Sequence, residues 1–201
     1  MTPPAADPAP DADLAPVLPV LAAVREAAPL VHCLTATVSM QLVADGLLAA
    51  GARPMMTETL AEAPVVTTLA DALLINLGTL SSDAMEGIPA TVEVTHAEAR
   101  PWVLDPTAIG LAPVRTPLAR QLLEQRPTVV RGNASEVLAL VGAGTGGRGA
   151  DSTASADCVR RPRPRSPGAP AAPSPSPARW TWCGMRGAGD GSPEAPCCCR
   201  V

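Results

Sequence analysis

Apolar residues recur between residues 17 and 141 in two alternating rhythms, and the alternation predicts strands and helices in turn. Leu18, Val20, Leu21 and Val24 return at helical spacing around Pro19, a residue suited to a first helical turn. Leu30 to Cys33 reads as a buried strand. Thr35 is placed to cap the next helix, where Val38, Leu42, Val43, Leu47 and Leu48 repeat near the helical period and Gly51 ends it. Pro54-Met55-Met56 is a short strand, and Leu60 to Leu69 is helical with Pro64 against it. Ala72 to Leu77 is a continuous apolar run of strand length closed by Gly78, the pattern of a strand covered on both faces. Ser82 to Ala99 is helical by rhythm, although Gly87 and Pro89 interrupt it. Trp102 to Leu104 is a strand. Thr116-Pro117 opens a helix whose buried face is Leu118, Leu122 and Leu123. Thr128 to Val130 returns as strand, Ala134 to Val141 as helix, and Gly142 to Gly149 as a flexible loop. Such alternation predicts an α/β fold, a mostly parallel sheet with helices on both faces.

Both ends lack this rhythm. Residues 1–12 are Pro- and Ala-rich, and a disordered leader is expected there. Beyond residue 157 aliphatic residues almost vanish in favour of Pro, Arg, Ser and finally Cys. A segment of that composition buries too little apolar surface to offset the entropy of ordering it, so residues 158–201 are expected to be disordered. The folded portion is placed at residues 13–157.

Composition narrows the core and the partners. Hydrophobic residues are 47% of the 201, yet aromatics are 1%, with neither Phe nor Tyr, so the core must be Leu, Val, Ala, Ile and Met. A net charge of −4 offers no electrostatic case for nucleic acid. No basic-then-apolar leader marks secretion and no apolar run approaches the ~20 residues of a membrane span, so no membrane partner is expected and the chain is read as cytoplasmic. Of the six cysteines, Cys33 falls in a predicted strand and is expected to be a buried, reduced thiol. Cys197-Cys198-Cys199 lacks zinc-ligand spacing and has no nearby His.

The stretch with the clearest chemistry is Val129-Val130-Arg131-Gly132-Asn133-Ala134-Ser135-Glu136. Two β-branched residues end a strand, Asn133 is a good N-cap, and Glu136 follows three residues later as in a capping box. Arg131 and Glu136 flank the helix start, so an anion and a metal-binding carboxylate could meet there. Spacing alone favours an ordinary strand-to-helix turn with a surface ion pair between these two. In an open α/β sheet ligands collect beyond the carboxyl ends of the strands, and Thr35, Asn76, Asp105, Arg131, Asn133 and Glu136 all fall there. His32 reads as a hydrogen-bonded strand histidine and is given no catalytic role.

Five stretches, in order, carry a resemblance: Pro29-Leu30-Val31-His32-Cys33-Leu34-Thr35, Gly51-Ala52-Arg53-Pro54-Met55-Met56, Leu74-Ile75-Asn76-Leu77-Gly78-Thr79-Leu80, Val103-Leu104-Asp105-Pro106, and Arg131 to Glu136. Together, over residues 17–157, they resemble the hydroxyethylthiazole kinase family. The resemblance implies a ribokinase-like fold, here incomplete, and an ATP- and Mg²⁺-dependent phosphorylation of the alcohol of 4-methyl-5-(2-hydroxyethyl)thiazole in thiamine salvage. It implies Met56 and Gly78 against the thiazole, Arg131 and Asn133 on ATP, Asp105 and Glu136 near Mg²⁺ through water, and a homotrimer with sites at subunit boundaries.

The resemblance stops near residue 157. The family's Thr-Gly-Glu strand end and its Gly-Thr-Gly-Cys turn, which carries the catalytic cysteine and forms an anion hole, do not occur in residues 158–201. No catalytic residue is therefore assigned, and this chain is expected to be an inactive kinase. The alternatives are a non-catalytic thiazole-binding or trimer-poisoning subunit, or a product without function. The tail's composition also fits a reading frame displaced by one nucleotide. Read one base earlier, Trp180-Thr181 forces Asp at position 181, Trp182-Cys183 forces Val at 183, and the three terminal cysteines force Leu at 198 and 199. Neighbouring codons then permit a Thr-Gly-Glu-Val-Asp string.

Overall fold

The computed structural model describes residues 15–146 together with Thr181–Cys183 and Cys198–Arg200. The expected leader at 1–12, the rest of the tail and the loop from residue 147 onward lie outside the described residues, whereas the frame-related positions 181, 183, 198 and 199 fall inside Thr181–Cys183 and Cys198–Arg200. Within them the chain alternates: α1 (Leu18–Ala27), β1 (Leu30–Leu34), α2 (Met40–Ala50), β2 (Arg53–Met56), α3 (Ala63–Leu69), β3 (Ala72–Asn76), α4 (Ser82–Ala97), β4 (Trp102–Asp105), α5 (Arg115–Glu124), β5 (Val129–Arg131) and α6 (Ala134–Leu140). Two further strands, β6 (Thr181–Cys183) and β7 (Cys198–Arg200), complete a sheet ordered β2-β1-β3-β4-β5-β6-β7. Every pairing from β2 through β6 is parallel, and β7 is antiparallel to β6.

Strand order fixes where the layers lie. The chain steps outward from β1 to β2 and then crosses back over β1 to reach β3. Right-handed crossovers therefore put α2 on one face and the α3–α6 row on the other. The second face is the better filled. Leu34, Leu73, Ile75, Trp102, Leu104 and Val130 point into it and meet Ala63, Ile88, Val92, Ala119, Leu122 and Leu140 from the helices. Dispersion and burial of these aliphatic side chains, with one tryptophan, supply the core that the composition required.

The opposite face is only partly covered, which corrects the reading of Ala72–Leu77. Leu73 and Ile75 are fully buried, but Ala72, Leu74 and Asn76 are half-buried, so β3 alternates. A continuous apolar run shows that a strand can be covered twice, not that it is. Likewise α1 and α2 contain no buried residue, and Val38, Leu42 and Leu48 of the α2 region stand exposed.

Local details account for the remaining differences. Thr35 is buried beside Ser39 and does not cap α2, which begins after a 3₁₀ turn at Thr37–Ser39. Thr116 lies inside α5, where its hydroxyl accepts the Gly110 N–H, rather than at the N-cap. Pro64 sits in the first turn of α3 and starts that helix instead of weakening it. α4 runs unbroken through Pro89, and Ser81 caps it by accepting the Ala84 N–H. Gly87 is there because the turn after β2 presses on the helix: a Cβ at 87 would sit 3.2 Å from the Glu58 carbonyl carbon, with its oxygen closer still. Six residues of the tail are described, as β6 and β7, and the rest of the segment expected to be disordered lies outside the described residues. Without β6 the edge of β5 would present unpaired N–H and C=O groups, and strand addition satisfies them.

Candidate active site at the carboxyl edge of the sheet

Four parallel strands end on a residue singled out above: β2 on Met56, β3 on Asn76, β4 on Asp105 and β5 on Arg131. Register aligns them, since Cys33 lies opposite Met56 and Asn76 opposite Asp105. Sheet order then lays the row out as Met56, Gly78, Asp105, Arg131, with β1 between the first two. A cleft of about 250 Å³ opens beside it between the loops that follow β3 and β4, lined by Leu80, Met85, Ala112, Pro113, Val114 and Arg115.

The charged end is built around Asp105. Its carboxylate is 5% exposed, and Arg131 Nη1 donates to Oδ2 at 2.6 Å. Arg131 thus pairs with Asp105 and not with Glu136, as spacing alone allowed. The guanidinium is the more exposed partner, at 39%, so the pair faces outward from the arginine side. Thr107 donates to the other oxygen, Oδ1, at 2.6 Å.

Glu136 is 4% exposed and is held by backbone. Its Oε1 accepts the Ala108 N–H at 2.9 Å and its Oε2 the Asn133 N–H at 2.8 Å, while Asn133 Oδ1 accepts the Glu136 N–H at 3.0 Å. That is the reciprocal capping box expected from the spacing. Ala108 presents its N–H from a left-handed backbone, φ 57°, an uncommon conformation for alanine. Burial pushes the Glu136 carboxyl above its ordinary range. The two backbone N–H groups oppose that shift, Asp105 adds to it and Arg131 reduces it.

The other end of the row is tightly packed at Gly78. Met56 is half-buried on the edge strand. Gly78 donates its N–H to Asn76 Oδ1 at 2.8 Å, and a Cβ there would meet the Ala36 methyl at 2.8 Å and Asn76 Oδ1 at 2.9 Å. His32 is fully buried one strand away. Its Nδ1 shares a proton with Thr67 Oγ1 at 2.6 Å and its Nε2 lies 3.0 Å from Thr57 Oγ1, which ties the turn after Met56 to β1 and α3. Burial holds its pKa below the ordinary value, the state of a structural histidine.

Thr107 is the residue that sequence reasoning missed. It joins Asp105 to Asn76, whose Nδ2 donates to Thr107 Oγ1 at 3.2 Å. A threonine in a loop carries no periodicity. The only signal was its place two residues after Asp105, where a side chain can turn back on the strand end. Among the described residues no group of three or more His, Cys, Asp and Glu side chains could hold a metal directly, and no helix is long and apolar enough to cross a membrane.

Comparison with known proteins identifies the family. A hydroxyethylthiazole kinase from Kineococcus radiotolerans is 50% identical over 143 residues, 69% of this chain and 52% of that protein. One from Cronobacter sakazakii is 45% identical over 142 residues, 71% of this chain and 54% of that protein. The solved structure of a hydroxyethylthiazole kinase protein from Pyrococcus horikoshii OT3 superposes with a TM-score of 0.60 at 37% identity, covering 63% of this chain and 50% of the other. The chain thus spans about half the length of the curated relatives it matches. The sequence profile of the Hydroxyethylthiazole kinase family matches residues 21–162, more than half of the chain, and the chain belongs to that family.

Proposed function

We propose that the carboxyl edge of this sheet is the acceptor and metal side of a site that phosphorylates 4-methyl-5-(2-hydroxyethyl)thiazole with Mg-ATP. The observation that carries the reading is the row itself: Met56 and Gly78 stand at the same carboxyl edge of the sheet as the ion pair of buried Asp105 with the more exposed Arg131. Phosphoryl transfer needs the acceptor oxygen in line with a phosphate held by cationic donors. Met56 offers a polarizable thioether to a sulfur heteroaromatic ring. Arg131, the exposed member of its pair, offers the free edge of its guanidinium to a phosphate. Asn133 stands beside it at the start of α6.

The donor set fits a hydrated Mg²⁺ better than a direct chelate. All four oxygens of Asp105 and Glu136 already accept one hydrogen bond from the protein, which leaves each a single lone pair for a water. Mg²⁺ keeps most of its waters and suits such a shell. When bound, the ion would offset charge on the phosphoryl group. The chain's own residues orient: Asp105 restrains Arg131, and the capping box holds Glu136 level with them.

Two further points belong to this reading. The exposed apolar residues Val38, Leu42 and Leu48 support a homotrimer that covers the α2 face, in a cytoplasmic enzyme. The absence of Thr-Gly-Glu and Gly-Thr-Gly-Cys strings from residues 158–201 favours a second reading, a thiazole-binding subunit with little turnover. An anion hole contributes roughly 3 kcal/mol per donor, so its loss alone would slow the reaction more than a hundredfold. Calorimetric titration with the thiazole alcohol tests the site. One-to-one binding weakened at least tenfold by Gly78→Ala is expected. No binding at millimolar ligand to a folded chain refutes both readings.

A further inference from the structure

The polar groups along the sheet edge form one chain of hydrogen bonds, and each link has only one possible direction. The Gly78 N–H can only donate, so the atom of Asn76 that faces it at 2.8 Å is the oxygen. The Asn76 amide nitrogen then faces Thr107 Oγ1 at 3.2 Å and donates to it. Thr107, having accepted, directs its single proton to Asp105 Oδ1 at 2.6 Å. Arg131 donates to the other carboxylate oxygen at 2.6 Å. The series runs from β3 across β4 to β5, and both carboxylate oxygens are committed to it.

We propose that Thr107 is a positioning residue that couples the backbone at Gly78 to the Asp105–Arg131 pair. Placing the thiazole at one end and phosphate at the other rests on the function proposed above; the coupling itself does not. Three observations support it. First, Thr107 is the only described group that bonds both Asp105 and Asn76. Second, the Gly78 N–H is bonded to the Asn76 side-chain oxygen itself, in a spot packed against Ala36 and Thr107. Any rotation of the Asn76 amide therefore changes whether the Gly78 N–H is bonded or is offered to a ligand. Third, Asp105 is buried and acts as acceptor to both neighbours, and in a low-dielectric setting such bonds polarise one another. A phosphate that draws Arg131 away would leave Asp105 a stronger acceptor for Thr107. That in turn would fix Thr107 as the acceptor of Asn76 and hold Asn76 on Gly78. By reciprocity, a ligand that takes the Gly78 N–H would alter how Asp105 holds Arg131.

Residue-resolved amide hydrogen exchange on the full chain tests the coupling without any ligand. Arg131→Met removes the donor at one end, and the exchange rate of the Gly78 amide reads the other. A change of at least fivefold is expected with Thr107 present, less than twofold in Thr107→Val, and recovery of the response in Thr107→Ser. Thr107→Ala removes the hydroxyl without adding bulk and must behave as Thr107→Val does. An unchanged Gly78 rate in Arg131→Met, or a full response without the hydroxyl, overturns the proposal. Adding the thiazole alcohol and a non-hydrolysable Mg-ATP analogue separates this from the functional reading. If the Gly78 response follows the hydroxyl but neither ligand shifts it, the coupling stands and the kinase reading of the site falls.

Discussion

Two glycines in helices give opposite expectations for the same substitution. Gly87 lies in α4 against the turn after β2, and a Cβ there would stand 3.2 Å from the Glu58 carbonyl carbon and 3.3 Å from that of Thr59, with the Glu58 oxygen inside van der Waals contact. The obstruction is backbone, so no side chain can swing away, and α4 or the turn must shift. Overpacking of this kind costs about 1–3 kcal/mol, and a backbone obstacle belongs near the top of the range. Alanine recovers about 1 kcal/mol of helix propensity, which leaves Gly87→Ala destabilising by about 2 kcal/mol. Gly46 lies within α2 with nothing within 4 Å of the same atom, so Gly46→Ala is stabilising by up to about 1 kcal/mol. Urea unfolding followed by circular dichroism reads both. With a slope of about 2 kcal/mol per molar, the midpoint falls by about 1 M for Gly87→Ala and rises by about 0.5 M for Gly46→Ala. Shifts of the same sign would refute the close approach between α4 and the turn that follows Met56.

Other groups make separate predictions. The His32 pKa is lowered by burial, so below about pH 6.5 the unfolded chain binds the proton more readily. Stability is therefore full above that pH and is lost as pH falls through it, by up to about 1.4 kcal/mol per pH unit. Unfolding midpoints of His32→Gln between pH 7 and 5 should lack that slope, and an unchanged slope would exclude His32 as its source. The Glu136 carboxyl shifts the other way, so its contribution is present at low pH and declines as pH rises through its raised value. Glu136→Ala strands the N–H groups of Ala108 and Asn133 and should cost about 2–3 kcal/mol by the same urea assay. A loss below 0.5 kcal/mol, within the range of ordinary surface changes, would show that neither bond matters.

Much of the architecture was legible because period and punctuation agree. The β1 to β5 strands are short apolar runs between turn residues, and the Asn133–Glu136 capping box is a local pattern with a local cause. What stayed illegible depends on partners. The apolar residues of α2 look like a core stripe, yet Val38 and Leu42 are exposed, because periodicity names a face and not its neighbour. Thr35 and Thr116 had the residue type of caps, but hydrogen bonds to nearby Ser39 and Gly110 claimed their hydroxyls. Gly87 counted against a helix until the turn at Glu58 showed why only glycine fits. At the site, Asp105 and Arg131 were each visible as strand ends. Their pairing required the register of β4 and β5, and Thr107 required the loop between them.

We propose that residues 15–146 hold one side of a thiazole kinase site and that the family motifs absent from the tail lie in its displaced reading frame. Formation of the thiazole phosphate from 4-methyl-5-(2-hydroxyethyl)thiazole and Mg-ATP, followed by mass spectrometry, tests it most directly. It should be run on this chain and on one whose frame is shifted back by one nucleotide near codon 158. Product is expected at about 1 s⁻¹ or faster from the shifted chain, the lower end of ordinary turnover, and at least a hundredfold more slowly from the unshifted chain. Equal rates, or a folded but inactive shifted chain, would contradict it.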